Sequence, residues 1–249
     1  MRVWLYRAFP LGFGTWYPDY VFDETLLAEA GLANFGLRAF STHWIRRFPE
    51  SICGRSMKYF TLLRSPVEQM LSQARYNYAP HAASVSMRDF LSRWLDQSHT
   101  EPSYENPQTN FFALHPWCDM QGSKFECDPA RYHVWLPEVR RAYMRERLGV
   151  AKDVLRSFLA VGVTEKIVDS LDVLRCRAAR EGFRLRPSQE LTFENVTQFQ
   201  LDDDSWIGEH DAVGRRFLES LTVDGELYGF ARRLLHEACQ SEFAAQELH

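Results

Sequence analysis

Long apolar runs are missing from this chain. No stretch of the 249 residues reaches the ~18 consecutive apolar residues that a membrane-spanning helix needs. The opening MRVWLYRAFP also lacks the hydrophobic region and cleavage site of a signal peptide. Both absences set the expectation of a soluble, cytoplasmic protein with no membrane partner. Lysine is scarce: residues 58, 124, 152 and 166 are the only lysines among 29 basic residues. The arginines that remain carry planar forks suited to sulfate or phosphate, although a high-GC genome leaves the same bias. A net basic charge is lacking as well. The formal charge of −4 gives no general attraction to nucleic acid, so a polyanion has to be met by a local basic patch.

Cysteine patterning excludes a further class. The five cysteines (53, 118, 127, 176 and 239) are odd in number and show no CxxC spacing, which favours reduced thiols. His115, Cys118, Cys127 and His133 fall close together, but not at a familiar zinc spacing, and no metal is expected. No internal repeat or linker divides the chain. Its length fits a single domain over residues 1–249, with a tail at 237–249 expected to fray.

What is present is organised around residues 58–78, KYFTLLRSPVEQMLSQARYNY. Tyr59 to Leu63 is a short apolar run of the kind a buried parallel strand has. Arg64 ends it. Ser65 is a good N-cap, Pro66 suits the first helical position, and Glu68 completes an S-x-x-E capping box, so a helix is expected to start here. Val67, Met70, Leu71 and Ala74 make its apolar face. A guanidinium at the carboxyl end of a strand, with the Ser72 hydroxyl about two turns along the next helix, suits a phosphate-sized dianion.

The same alternation recurs along the chain. Residues 2–9 and 37–40 read as strands, and 10–17 as a glycine-containing turn. Residues 23–32 and 86–97 read as amphipathic helices, and a further helix opens at Asn106. Residues 115–136 have no clear period. Pro137 begins a basic helix whose arginines (140, 141, 145 and 147) form a solvated face. A strand around 158–163, a helix capped by Thr164 and a closing helix from Asp224 complete the pattern. Strands followed by helices imply an α/β fold, a P-loop-like parallel β-sheet flanked by helices, with ligands at the carboxyl ends of the strands.

Arg64-x-Pro66 with Ser72 and Tyr76, VGVTE at 161–165, N-x-Q-T at 106–109 and D-x-x-x-Y from Asp224 to Tyr228 together resemble sulfotransferases of the heparan sulfate 2-O/6-O type. The resemblance implies the sulfotransferase fold and 3′-phosphoadenosine-5′-phosphosulfate (PAPS) as sulfuryl donor. The implied acceptor is a carbohydrate hydroxyl. Arg64 and Ser72 would bind the donor's 3′-phosphate, and Gly12, Phe13, Gly14 and Thr15 its 5′-phosphosulfate. His43 is the position matching the general base, and an imidazole of pKa near 7 suits removal of an alcohol proton. The separation of Cys118 and Cys127 resembles a disulfide hairpin in secreted relatives, with free thiols the open alternative.

One position departs from the pattern: Leu11 stands where the family has a lysine that stabilises the leaving phosphate. Arg7 reaching in, an inactive relative that binds nucleotide or sugar, and a shifted alignment are the three explanations. A P-loop kinase is the remaining alternative, disfavoured because the chain has no G-x-x-x-x-G-K-[ST] motif.

Overall fold

A computed structural model describes residues 13–15, 39–41, 51–52, 55–78, 85–97, 106–113, 118–121, 124–127, 137–183, 185 and 211–246. Within them the strands are β1 (Phe13–Thr15), β2 (Ala39–Ser41), β3 (Ser51–Ile52), β4 (Arg55–Ser56), β5 (Phe60–Leu63), β6 (Cys118–Gln121), β7 (Lys124–Cys127) and β8 (Ala160–Val163). The helices are α1 (Pro66–Tyr78), α2 (Met87–Gln97), α3 (Pro107–Ala113), α4 (Pro137–Ser157), α5 (Ile167–Arg180), α6 (Ala212–Ser220) and α7 (Thr222–Gln246).

Among the described residues helix dominates, and the parallel sheet is small. The described strands form four separate pairs: β1–β2 and β5–β8 are parallel, β3–β4 and β6–β7 antiparallel. The β5–β8 pair is the structural centre and is compatible with an α/β class. Its register runs from Phe60 opposite Ala160 to Leu63 opposite Val163, and a bond from Leu159 N–H to the Tyr59 carbonyl (2.7 Å) extends it by one step. All four β8 residues are buried, as an unbroken apolar AVGV run requires when helices cover both faces.

Two hydrophobic clusters hold the helices. The first packs Leu63 and β8 against Phe112 of α3, Leu148, Ala151 and Leu155 of α4, Leu171 and Leu174 of α5, and Leu227, Ala231 and Leu235 of α7. Met144, Leu148, Ala151 and Leu155 recur at helical spacing, which explains why the basic stretch from Pro137 and the segment after it form one 21-residue helix. The second cluster joins Met70, Leu71 and Ala74 of α1 to Leu91, Trp94 and Leu95 of α2 and to Val213 and Phe217 of α6.

Three local expectations change. The segment after β8 does not enter an α-helix at Thr164; residues Thr164–Lys166 form a 3-10 turn, and α5 starts at Ile167. The stretch without a clear period contains the β6–β7 hairpin, whose register sets Cys118 opposite Cys127. The chain past Cys239 does not fray there, since α7 continues to Gln246. Glu242 is buried and receives two bonds from the Arg180 fork, at 3.0 and 2.6 Å, with Arg177 Nε 3.7 Å away. Among the described residues no helix is long and apolar enough to cross a membrane.

Candidate functional site

The carboxyl edge of β5 and β8 gathers the polar groups. Arg64 leaves β5 exposed, and its Nη2 lies 3.5 Å from the Glu68 carboxylate one turn into α1. Glu68 and the half-buried Ser72 are four residues apart and share a helix face. Helix α1 starts as its sequence implies, with Gln69 N–H donating to the Ser65 carbonyl at 2.9 Å. The capping box does not form in its expected pairing. The Ser65 N–H that Glu68 would accept donates instead to Glu165 Oε1, 100 residues away in sequence, at 2.7 Å.

Glu165 therefore ties the two strands together at their ends, and its other oxygen accepts from the Tyr228 hydroxyl of α7 at 2.8 Å. Desolvation pushes the Glu165 carboxyl up. The Ser65 N–H, its own backbone N–H and the Tyr228 and Thr164 hydroxyls outweigh that push and hold it below the usual carboxylate range. Burial, and after it the Glu165 carboxylate, pushes the Tyr228 phenol up to about 12. Glu165 thus stays ionised and Tyr228 neutral at pH 7, a fixed pair with no proton to exchange.

Gln108 brings α3 to the same edge. Its side-chain amide donates to the Arg64 carbonyl at 2.8 Å. The start of α3 is held by Asp224 of α7, whose carboxylate accepts from Gln108 N–H at 2.8 Å and Thr109 N–H at 2.7 Å. Asn106 returns the contact: its side-chain oxygen accepts from Asp224 N–H at 2.9 Å. Asn106 thus caps the other helix rather than its own, in a left-handed conformation (φ 50°) that asparagine tolerates.

Asp224 is fully buried. Desolvation raises its pKa to about 6 against the two backbone amides that favour its charge. An unfolded aspartate titrates near ~3.9, so between about pH 4 and pH 6 the native state binds more protons than the unfolded one. The stability this group contributes is complete below about pH 4 and is lost as pH rises through about 6, by roughly 2 to 3 kcal/mol. Urea unfolding of wild type and Asp224→Asn across this window is expected to show the decline in wild type alone. Parallel profiles for the two proteins rule the assignment out.

The other sequence-derived positions are placed in part. Phe13, Gly14 and Thr15 form β1, an extended segment paired with Ala39, Phe40 and Ser41, where a turn was expected. Gly12, Leu11 and Arg7 lie outside the described residues, as does His43, two residues beyond the end of β2. Arg64 and Ser72 thus lie in one strand–helix unit, while His43 and Gly12 fall outside the described residues. Among the described residues no group of three or more His, Cys, Asp or Glu side chains gathers as a metal site would require.

Gln108, Glu165, Tyr228 and Asp224 are the groups at this edge to which sequence reasoning assigned no such contacts. A partial signal was present. Asp224 and Tyr228 are one turn apart, so one face of α7 can meet both α3 and the end of β8. Compared with known proteins, the chain matches no family model, no curated protein and no solved structure.

Proposed function

We propose that the chain is a PAPS-dependent sulfotransferase that moves a sulfuryl group to the hydroxyl of a carbohydrate or related acceptor. The observation that supports this reading is the exposed Arg64 guanidinium at the carboxyl end of a parallel strand, paired with Glu68 one helical turn before Ser72. A fork and a hydroxyl on one face fit a phosphate dianion, with Glu68 as the carboxylate that the dianion displaces. In this reading the acceptor oxygen bonds to sulfur while His43 takes its proton. The sulfur–oxygen bond to the 5′-phosphate breaks, and the nucleotide bisphosphate leaves from residues 12–15. The step needs no metal, because the donor is already activated and positioning carries much of the rate. A cytoplasmic location and a lack of nucleic-acid and membrane partners belong to the same proposal.

Calorimetry with 3′-phosphoadenosine-5′-phosphate tests it. Wild type is expected to bind, and Arg64→Ala to weaken binding roughly 10- to 100-fold, the range for losing charge-assisted hydrogen bonds to a phosphate. Absence of binding, or binding indifferent to Arg64→Ala, removes the proposal. A second reading, a nucleotide- or sugar-binding relative without catalysis, is favoured by Leu11 in the lysine position and by the extended Phe13–Thr15 backbone. Its mark is Arg64-dependent binding with no sulfuryl transfer.

A further inference from the structure

The amino end of β8 borders a cavity that the candidate site does not use. It measures about 210 Å³ and lies between the last turn of α4, β8, α5 and α7. Leu155, Phe158, Val161, Leu234 and Ala238 give it an apolar floor. Arg177 fixes its place: it lines the cavity, and its Nη1 donates to the Leu159 carbonyl, one residue before β8, at 3.1 Å. Arg64 and Glu165 mark the opposite, carboxyl ends of the strands. The four residues of β8, at ~3.3 Å each, put roughly 13 Å between the two ends.

Four polar side chains complete the lining: Arg156, Arg177, Glu237 and Ser241. Their charges are matched unequally. Along α4, Arg145 is exposed and Arg147 half-buried, so the solvated face expected of this helix is uneven. Arg156, near its end, is held by Asp153 and by the Phe230 ring, 4.9 Å from its guanidinium. Arg177 Nε lies 3.7 Å from Glu242, too far for a hydrogen bond, and the Glu242 oxygens accept from Arg180. The Arg177 fork thus has a carboxylate near it but keeps donors that no described residue takes. Glu237 is exposed and has neither a hydrogen bond nor an ion pair among the described residues. The Ser241 hydroxyl donates to the Ala238 carbonyl at 2.9 Å, which leaves its lone pairs as acceptors.

A ligand of a single charge meets opposition here. A monoanion would face Glu237, and a monocation the two guanidinium groups. A ligand with both charges on one end and an apolar body on the other meets a partner at every point. Its carboxylate suits the Arg177 fork with Arg156 beside it, its ammonium the Glu237 carboxylate and the Ser241 oxygen, and its body the apolar floor. The volume sets its size. An apolar cavity of ~150 Å³ accepts a benzene ring, so this one accepts a phenyl or isobutyl group with its charged head at the mouth.

We infer that this cavity binds a free α-amino acid with an apolar side chain, of phenylalanine or leucine size, at the end of the sheet away from Arg64. The inference does not rest on sulfuryl transfer.

Calorimetry on the full chain with phenylalanine, leucine, 3-phenylpropanoate and phenethylamine tests it, since the third ligand lacks the ammonium and the fourth the carboxylate. The amino acids are expected to bind, and each analogue about tenfold or more weaker than phenylalanine, the scale of one hydrogen bond to a charged group. Glu237→Gln is expected to weaken phenylalanine about tenfold and to leave 3-phenylpropanoate no weaker. Ala238→Met fills the floor and is expected to abolish binding of every ligand, while Arg64→Ala leaves it unchanged. No binding of phenylalanine or leucine, an analogue that binds as tightly as phenylalanine, or unchanged phenylalanine affinity in Glu237→Gln overturns the inference. So does binding that survives in a folded Ala238→Met protein or is lost in Arg64→Ala. Should Ala238→Met not fold, the analogue series and Glu237→Gln decide by themselves.

Discussion

Gly162→Ala is expected to destabilise the protein by about 3 kcal/mol or more, because the new methyl group has nowhere to go. A Cβ at this position would lie 2.3 Å from Ser170 Cβ, 2.5 Å from its hydroxyl oxygen and 2.7 Å from Leu62 Cδ2. Ser170 cannot turn aside freely. Its hydroxyl accepts from Val163 N–H at 3.0 Å and lies within donating distance of the Lys166 carbonyl (2.7 Å) and the Val163 carbonyl (3.1 Å). Moving it breaks bonds at the 3-10 turn that leads the chain from β8 into α5, adding about 1 kcal/mol per lost bond to the steric clash. Denaturant unfolding measures the loss. The double variant Gly162→Ala/Ser170→Gly is expected to recover part of it despite the poor helix propensity of glycine, a non-additivity that marks direct contact. A loss below about 1 kcal/mol in the single variant contradicts this packing.

Asp224→Ala is the second large effect. At pH 7 it leaves the buried N–H groups of Gln108 and Thr109 without their acceptor, at about 1 to 3 kcal/mol each. Relief of a buried charge offsets part of that, for a net loss of about 3 kcal/mol. The effect reaches the candidate site. With α3 loosened, the Gln108 amide no longer steadies the Arg64 carbonyl, so affinity for 3′-phosphoadenosine-5′-phosphate is expected to fall together with stability. Chemical unfolding and calorimetry on one preparation check both. Wild-type stability in Asp224→Ala contradicts the capping role, and a stability loss with unchanged affinity confines that role to the fold.

Much of the helical framework was legible in local pattern. FTLL-R-S-P marks the turn from β5 into α1, and Leu91, Trp94 and Leu95 mark α2, because burial at a fixed period leaves its trace in consecutive residues. Distant partners leave no such trace. Glu68 sits at the position a capping box demands, yet Glu165 takes the bond. Glu242 extends α7 through arginines more than 60 residues earlier in sequence. Helix α6 went unread although Asp211 caps it through Val213 and Gly214 N–H. Strand pairing was the least legible of all. An apolar tetrad states that it is buried but not which neighbour it has, and the four pairs among the described residues follow from long-range register that local pattern does not encode. At the candidate site, Arg64 and Ser72 lie within one strand–helix unit and were readable together. Arg147 and Arg145 are both arginines on one helix, and only packing separates them.

The exchange of caps between Asn106 and Asp224 has a consequence for biosynthesis. Neither helix beginning is satisfied until segments 118 residues apart have met. While a ribosome still holds the α7 segment, the Gln108 and Thr109 amides have only water to turn to, and the Arg64 backbone lacks a settled support. The carboxyl edge of β5 and β8 thus settles in the nascent protein only when α7 emerges and docks.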